Sequence, residues 1–250
     1  MEQMRMFSQG RAVLLTALFS LAYVIPAAAD AVDAVDPWEG LNRKIFAFND
    51  YGDRYLLRPV ASGYHYITPD PIETGISNVF SNSYLVVTLM NDLFQLKFLE
   101  LGRDGARFTI NTTVGLLGFF DVASKIGLEH RREDFGQTLA YYGMPSGPYI
   151  VLPFLGSSTV RDGFSLIPDA QLAPVISSID HIPTRNQVFA ANLVSKRADV
   201  LAVEQLLTGD RYSFIRDAYL QRREWLINDG AVEDNFGDED FDDFGEEIDF

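Results

Sequence analysis

The sequence predicts an all-α protein, a single domain of amphipathic helices with glycine- and proline-rich connecting segments and a disordered acidic C-terminal tail. The first observation is helical periodicity, because Leu85, Leu89 and Leu93 recur at every fourth residue while Asn91 and Asp92 lie on the other side. The second is that glycines and prolines separate the periodic segments. The third is the stretch from residue 231 onward, which is acidic and of low complexity.

Residues 1–29 are typical of a secretory signal peptide and are excluded from the predicted fold. Arg5 and Arg11 precede an apolar stretch, residues 12–22, that is too short to span a bilayer stably. Small residues occupy the −3 and −1 positions of a cleavage site predicted before Asp30. An uncleaved membrane anchor is the alternative. We therefore expect an exported chain whose folded domain covers residues 30–230.

The helices of that domain are predicted from their boundaries and their periodicity. The segment Thr68–Pro71 is expected to stop one helix and start the next, because proline suits a first helical turn. The last helix is stopped by Asn228, Asp229 and Gly230. The predicted helices cover residues 38–51 with a kinked continuation to 57, then 72–80, 85–100, 101–114, 170–180, 184–207 and 213–228. A strand at Tyr149–Leu152 would be isolated.

Residues 135–160 form an uncharged run of twenty-six residues that also lacks histidine. This length could span a bilayer as a helix, but Pro145, Pro148 and Pro153 each remove a backbone donor and four glycines weaken it further. Irregular backbone is tolerated at membrane depth only where protein or a water-filled cavity satisfies it. We therefore expect this run to pack against the helices.

The negative charge of the chain is concentrated in its tail. The net charge is −15, and residues 229–250 contain eleven Asp or Glu and no Lys or Arg. The rest of the chain has no basic surface suited to nucleic acid and little electrostatic attraction to anionic lipid. Any contact with a membrane would therefore rest on apolar surface. The tail is predicted to be disordered. Its spaced aromatic residues suggest a peptide that orders on a basic partner, with a plainly solvated tail as the alternative.

Catalytic chemistry is hard to find in this chain. It has three histidines, no cysteine, and none of the HExxH, phosphate-loop or GxSxG motifs. A hydrolase using Ser157 or Ser158 with His181 stays open as an alternative. Carboxylates such as Asp92 and Asp121 are expected to cap helices. We predict no catalytic residue, no metal site and no cofactor.

Three ordered blocks resemble the MlaA (VacJ) family of Gram-negative outer-membrane lipid-asymmetry proteins. They are DPWEGLNRKIFAFN at 36–49, FTINTTVGLLGFFDVA at 108–123, and DFGQTL at 134–139 continued by Gly147-Pro148-Tyr149, Leu152-Pro153 and Arg161-Asp162. The resemblance implies a ring of helices in the inner leaflet of the outer membrane. Phospholipid misplaced in the outer leaflet would pass through a central amphipathic channel to a soluble periplasmic carrier, and the ring would associate with a trimeric porin.

The chain departs from the family pattern at two places. Family members are typically lipoproteins acylated on a cysteine after the signal, whereas this chain has Ala29-Asp30 there and no cysteine at all. Acyl anchoring is therefore excluded, and retention would rest on apolar helix faces, on porin contact, or on both. Gly156-Ser157-Ser158 stands where the family commonly has Gly-Pro-Ser, which we regard as minor.

Lipid-contact residues follow from combining this resemblance with the apolar pattern. The expected channel or membrane contacts are Leu85, Leu89, Leu93, Leu116, Leu117, Phe119, Phe120, Tyr141, Tyr142 and Tyr149, with plain core packing as the alternative for each. The three tyrosines suit the headgroup boundary. Gly115 and Gly118 would be pivots of a mobile element near the pore. The expected carrier-docking residues are Phe236, Phe241, Phe244 and Phe250.

Two further expectations complete the prediction. Asn42, Arg43 and Asn49 are expected to fix the fold by hydrogen bonds rather than to touch lipid. The function predicted is non-catalytic phospholipid transport on the periplasmic side of the outer membrane. A periplasmic lipid-hydrolysing enzyme and a soluble binding scaffold are the alternatives.

Overall fold

The computed structural model describes residues 35–173, 179–201 and 209–230. The predicted signal segment and the acidic tail, with Phe236, Phe241, Phe244 and Phe250, lie outside these residues. The chain divides into a unit ending at Pro37 and a second unit that begins at Trp38. The second unit is built of helices with one small two-stranded sheet, which confirms the all-α class.

The helices and strands are numbered here in chain order. They are α1 Glu39–Gly52, a π-helical turn Asp53–Leu57, α2 Arg58–Ile67, α3 Asp70–Phe94, α4 Phe98–Thr113, α5 Val122–Lys125, α6 Phe135–Tyr141, β1 Tyr149–Leu152, β2 Gly156–Thr159, α7 Val160–Leu172, α8 Ile182–Asp199 and α9 Arg211–Ile227.

The first helical segment continues beyond the predicted end at Leu57. The π-helical turn leads directly into α2, where Pro59 occupies the first turn and its missing N–H costs little. Thr68 and Pro69 are then extended, and Pro71 lies in the first turn of α3. The predicted stop and restart at Thr68–Pro71 is confirmed.

Helix α3 is one continuous helix of 25 residues, so the predicted break between residues 80 and 85 is wrong. The polar residues Ser81, Asn82 and Ser83 interrupt the apolar pattern at this place. The structure gives Asn82 a role within the helix, because it is buried and its amide donates to Thr112 Oγ1 of α4 at 3.0 Å. Polar side chains therefore join α3 to α4.

Helices α6 and α7 are among those not predicted, because short caps rather than apolar periodicity define where they begin. Helix α6 begins where the Asp134 carboxylate accepts from the Gln137 amide at 2.9 Å. Helix α7 begins where the Thr159 hydroxyl accepts from the Asp162 amide at 3.2 Å. The predicted helix over 170–180 is wrong in its bounds, since α7 ends at Leu172 and residues 179–181 are not helical.

The strand at Tyr149–Leu152 was expected to be isolated, but the structure gives it a partner strand. It pairs antiparallel with β2, so that Tyr149 lies opposite Thr159 and Leu152 opposite Gly156. The hairpin rests on α1 and α9 through a small core in which Tyr149, Val151 and Tyr212 are buried. This core holds the C-terminal half of the uncharged run against the helices, as predicted.

Candidate lipid-contact surface and polar interior

The distribution of polar and apolar side chains is unusual for a water-soluble domain. Among the described residues, 8 hydrophobic side chains are buried against 22 polar or charged ones, and 34 large hydrophobic side chains are exposed. Water-soluble proteins ordinarily bury their apolar residues and leave charged ones outside. Extended exposed apolar surface marks an interaction or membrane surface. None of the described helices is both long enough and apolar enough to cross a membrane.

One part of this surface is the segment Val114–Phe120, called here the apolar loop. Leu116 and Leu117 are exposed by 64% and 71%, and both adopt left-handed backbone angles, with φ of 52° and 59°. Leucine rarely adopts this conformation, which is strained for residues other than glycine. The chain therefore holds two apolar side chains outward at a cost in backbone energy.

The apolar loop is seated on α3 by Phe119. A Cβ atom added at Gly75 would lie 2.3 Å from the Phe119 ring, so only glycine leaves room for the ring there. Phe119 is partly buried, whereas its neighbour Phe120 is exposed and packs edge-on against it at 5.1 Å between ring centroids. One aromatic side chain thus anchors the loop while the other faces outward.

Polar side chains fix the far end of the loop. The Asp121 carboxylate accepts from Arg107 at 3.0 Å and from the Asn111 amide at 2.9 Å, and it caps α5. Burial raises the pKa of this carboxyl, but hydrogen bonds from Ser124 and Asn111 outweigh it and hold the pKa at about 2. The predicted capping role of Asp121 is confirmed.

The glycines of the loop have packing roles. A Cβ at Gly115 would lie 2.2 Å from the Phe120 carbonyl oxygen, and one at Gly118, where φ is 91°, would lie 2.4 Å from Asn82 Cβ. Both positions therefore require glycine for close approach. That Gly115 and Gly118 also act as pivots stays a prediction.

Most of the predicted lipid-contact residues reach the surface. Leu89 and Phe119 are partly exposed, and the exposed ones are Leu93, Leu116, Leu117, Phe120, Tyr141 and Tyr142. Tyr141 and Tyr142 pack edge-on at 5.2 Å between centroids, and the Tyr142 hydroxyl donates to the Phe94 carbonyl at 2.6 Å. This contact brings the aromatic pair beside the end of α3, next to Leu93.

The prediction of lipid contact is wrong for two residues, because both are buried. Leu85 is 2% exposed and Tyr149 is 1% exposed. Tyr149 packs against Tyr212 and Tyr219, and its hydroxyl pairs with Ser157 Oγ at 2.8 Å. Leu85 lies on the inner side of α3, between buried Asn82 and Thr88. Periodicity finds the apolar stripe of a helix but does not tell which of its members are covered.

Sequence reasoning missed a second exposed aromatic group along the first helical segment. Tyr51, Tyr55 and Leu56 are 65% to 71% exposed, and the two tyrosine rings lie 4.5 Å apart. Phe154, at the tip of the hairpin, is 79% exposed and packs on Phe48 at 5.2 Å. The one available signal was the spacing of Tyr51 and Tyr55 by four residues on a charged helix.

The interior between α3, α4, α6 and α7 is a polar cluster. Thr138 donates to Asn91 Oδ1 at 2.7 Å, and the Gln95 amide donates to Glu133 at 2.9 Å. Asp92 is fully buried, and neither of its carboxylate oxygens has a hydrogen-bond partner among the described residues. Asp92 therefore does not cap a helix, contrary to expectation. Burial raises the pKa of Asp92 most, the negative charge of nearby Asp104 raises it further, and the resulting pKa is about 7.

A cavity of about 330 Å³ lies between α1, β2, α8 and α9. Its wall includes Phe46 and Ile215 together with two ion pairs. Asp53 accepts from Arg197 at 2.7 and 2.9 Å, and Asp50 accepts from Arg211 at 2.6 Å. The negative charges of the two aspartates therefore balance the positive charges of the two arginines in this wall.

The structure does not assemble the hydrolase alternative within the part of the chain it describes. Ser157 Oγ pairs with the Tyr149 hydroxyl, and Ser158 is buried with its hydroxyl donating to the Thr159 carbonyl at 3.1 Å. His181 Nδ1 lies 2.9 Å from Thr184 Oγ1. Neither serine thus has the adjacent base that a hydroxyl nucleophile needs.

Comparisons with known proteins agree with this architecture. The model of the MlaA lipoprotein family matches residues 34–225. An uncharacterized protein of Rickettsia typhi is 47% identical over 131 residues, which are 52% of this chain and 52% of that protein, so the match spans about half of this relative. The intermembrane phospholipid transport system lipoprotein MlaA of Escherichia coli (strain K12) is 34% identical over 203 residues, covering 79% of this chain and 80% of the relative.

A solved structure shares the fold. It was reported as "Structural basis for maintenance of bacterial outer membrane lipid asymmetry", and it matches with a TM-score of 0.67 and 34% sequence identity. The match covers 77% of this chain and 99% of the other.

Proposed function

The chain belongs to the MlaA lipoprotein family, and we propose that it is a non-catalytic phospholipid transport protein that maintains lipid asymmetry of the outer membrane. It removes misplaced phospholipid from the outer leaflet through a central amphipathic channel in a ring of helices. It then passes the lipid to a periplasmic carrier. The name of the Escherichia coli relative, as a transport system protein, and the subject of the solved structure support this proposal.

The observation that carries the proposal is the reversed polarity of the described residues. A phospholipid has a charged head and two apolar tails, so a protein that moves it needs polar groups for the head and apolar surface for the tails. Buried polar side chains and exposed apolar ones supply both. Apolar helix faces of this kind lie at the boundary between headgroups and acyl chains.

The apolar loop and the tyrosine pair are the proposed contacts with acyl chains and headgroups. Leu116, Leu117 and Phe120 face outward from a polar anchor, as expected of a loop that enters lipid. Tyr141 and Tyr142 are exposed amphipathic rings, which favour the headgroup region. Leu89 and Leu93 extend this surface along α3.

Retention at the inner leaflet must work without a lipid anchor in this chain. The relatives are named lipoproteins, whereas this sequence has no cysteine to acylate. A single acyl chain holds a protein only marginally, so its absence is compensated by moderate apolar contact. The exposed aromatic group around Tyr51 and Tyr55 offers such contact, either to lipid or to a trimeric porin.

The test removes the gene in its host and restores it with variants. Loss of the protein is expected to raise surface phospholipid and detergent sensitivity, and the wild-type gene should restore both. The double variant Leu116→Asn, Leu117→Asn should restore them poorly, because asparagine accepts the left-handed backbone but removes the apolar contact. Leu116→Met, Leu117→Met is the matched apolar control. Unchanged surface phospholipid in the deletion strain would contradict the transport function.

The acidic tail is the proposed docking segment for the carrier, through Phe236, Phe241, Phe244 and Phe250. Truncation after Gly230 should weaken carrier binding, because it removes both the negative charge and the spaced aromatic residues. Replacing only the four phenylalanines by serine keeps the charge and separates the two contributions. Equal carrier affinity with and without the tail would remove this role.

A further inference from the structure

A small polar cavity lies where the apolar loop meets α3 and α4. Its volume is about 20 Å³. Asn82 of α3, Arg107 of α4, Gly118 of the loop and Asp121, which fixes the end of the loop, all line it. Among the described residues of its wall, Leu85 is the one apolar side chain. The cavity is therefore a polar space shared by the loop and the two helices that carry it.

Two buried polar atoms of this wall have no hydrogen-bond partner among the described residues. Asn82 is 6% exposed, and its amide donates to Thr112 Oγ1 at 3.0 Å while its Oδ1 accepts from no described group. Arg107 is 4% exposed, and its terminal nitrogens donate to Ser124 and Asp121 while its Nε donates to none. Nearly all buried polar groups in folded proteins have a partner, so these two atoms call for one.

The two atoms have opposite hydrogen-bonding requirements. Asn82 Oδ1 needs a donor, and Arg107 Nε needs an acceptor. A cation would suit the oxygen but not the N–H group, and an anion would suit the N–H group but not the oxygen. A water molecule both donates and accepts, and one water needs roughly 10–15 Å³ of such a cavity. The cavity of about 20 Å³ therefore holds one water and is too small for a phosphate group.

The charges around the cavity also favour a neutral ligand. The Arg107 guanidinium is paired with the Asp121 carboxylate, at 3.0 and 3.1 Å from Nη2 to its two oxygens. His130 is the other titratable residue of the described wall. The protein atoms around His130, followed by the charge of Arg107, lower its pKa to about 4, so it is neutral at pH 7. The described wall thus carries no net charge that would attract an ion.

We propose that this cavity binds one structural water, which accepts from Arg107 Nε and donates to Asn82 Oδ1 and so joins α4 to α3 beneath the apolar loop. Arg107 also holds Asp121 at the end of the loop, and Gly118 packs directly on Asn82. The water therefore completes the polar support of the loop. The site follows from the cavity and its two unpaired atoms, and it does not depend on the proposed transport function.

The first test is a crystal structure of the full-length chain at a resolution that shows ordered water. We expect a water about 2.7–3.2 Å from both Asn82 Oδ1 and Arg107 Nε. Asn82→Leu, which is similar in size but has no acceptor, should lose this water. Thr112→Val is the matched control, because it removes the other hydrogen bond of Asn82 and leaves Oδ1 in place, so the water should stay.

Hydrogen exchange of the Gly118 amide tests the support of the loop in solution. This amide donates to the Asn111 carbonyl at 2.7 Å, and both residues line the cavity. Exchange should be about tenfold faster in Asn82→Leu than in Thr112→Val, as expected when the contacts of one water are lost. Equal exchange in the two variants would overturn the supporting role.

The wild-type crystal structure decides the site by itself if Asn82→Leu fails to fold. A wild-type cavity without electron density would overturn the proposal. Density that lies about 2.4 Å from its oxygen neighbours, as a bound metal cation would, would overturn water as the ligand.

Discussion

Two asparagines on α1 form hydrogen bonds with the free backbone edge of β1, as a third strand would. The Asn42 side chain donates to the Tyr149 carbonyl at 3.1 Å and accepts from the Val151 amide at 2.9 Å. Asn49, seven residues later on the same helix face, donates to the Leu152 carbonyl and accepts from the Phe154 amide. The edge of β1 is thereby covered, which is one way proteins protect an exposed strand. The predicted structural role of these residues is confirmed.

Replacing Asn42 by alanine should destabilise the fold by about 3 kcal/mol, because it removes two hydrogen bonds to buried backbone groups of β1. Urea unfolding monitored by circular dichroism measures the change. Asn186→Ala, at an exposed position on α8, is the control and should change stability by less than about 0.5 kcal/mol. A similar loss in both variants would show that Asn42 contributes nothing special.

The buried carboxyl of Asp92 makes stability depend on pH. Burial raises its folded-state pKa to about 7, with Asp104 and Glu133 adding to this and Lys97 and Arg103 opposing it. The folded state therefore holds a proton that the unfolded state loses near pH 4. Stability falls as pH rises from about 4 to 7, since only the unfolded chain releases its proton freely there.

The variant Asp92→Asn should be more stable than the wild type at pH 8 and should flatten this pH dependence, because the amide keeps the shape without the charge. Thermal unfolding at pH 5 and pH 8 tests it, with Asp217→Asn at an exposed position of α9 as the control. A wild type whose Tm rises from pH 5 to pH 8 would contradict the assignment. Buried Asp169, whose pKa is also raised to about 6 by its burial, contributes in the same direction.

At the scale of elements, the apolar loop depends on the absence of a side chain on α3. Gly75→Ala places a methyl group where the Phe119 ring lies, so the ring must move or the helix must shift. We expect a loss of about 1–3 kcal/mol, typical of overpacking. Gly102→Ala in α4 meets no atom within 4 Å and should stabilise the fold by about 0.5–1 kcal/mol.

Denaturant unfolding of both glycine variants measures these opposite signs. Gly75→Ala should also reduce the recovery of lipid asymmetry in the host, since it displaces the seat of Leu116 and Leu117. If Gly75→Ala were as stable as Gly102→Ala, the close packing of Phe119 on α3 would be wrong.

Helices with a strong apolar pattern could be predicted, and those defined by caps could not. The helix beginning near Leu101 and the last helix were found within a few residues, because periodicity and stop signals agree there. Helix α7 was missed because Gly163 and Pro168 interrupt its sequence, while its start depends on a single Thr159 cap. The polar cluster was beyond sequence reasoning, because it joins residues of four helices that are distant along the chain.

At the scale of the molecule, the same reversal of polarity that supports transport also limits prediction. Sequence patterns assume that an apolar stripe faces the core, and Leu93 and Leu85 fit that stripe equally well although one is exposed and one buried. The structure distinguishes the two leucines because, near Leu93, the buried face of α3 is formed by Asn91 and Asp92. In a protein that lies at a membrane interface, an apolar side chain can face either the protein core or the lipid, and periodicity alone does not distinguish the two.

Membrane binding by the whole molecule should be insensitive to salt. The chain is acidic, so electrostatic attraction to lipid headgroups contributes little, and the exposed apolar residues must supply the contact. Residues 30–230, purified without the tail, should sediment with phosphatidylcholine vesicles equally in 0.1 M and 1 M NaCl. Charge–charge contacts would be screened over this range, whereas apolar contacts are preserved or strengthened.

Vesicles containing phosphatidylglycerol distinguish the two kinds of contact. We expect these anionic vesicles to bind the chain no more strongly than neutral ones, and the double variant Leu116→Asn, Leu117→Asn to bind both less. Binding that requires phosphatidylglycerol and disappears in 1 M NaCl would mean that a basic patch, and not the apolar surface, holds the protein. In that case a chain without cysteine would depend on charge for retention, and the proposed role of the exposed leucine and tyrosine residues would fall.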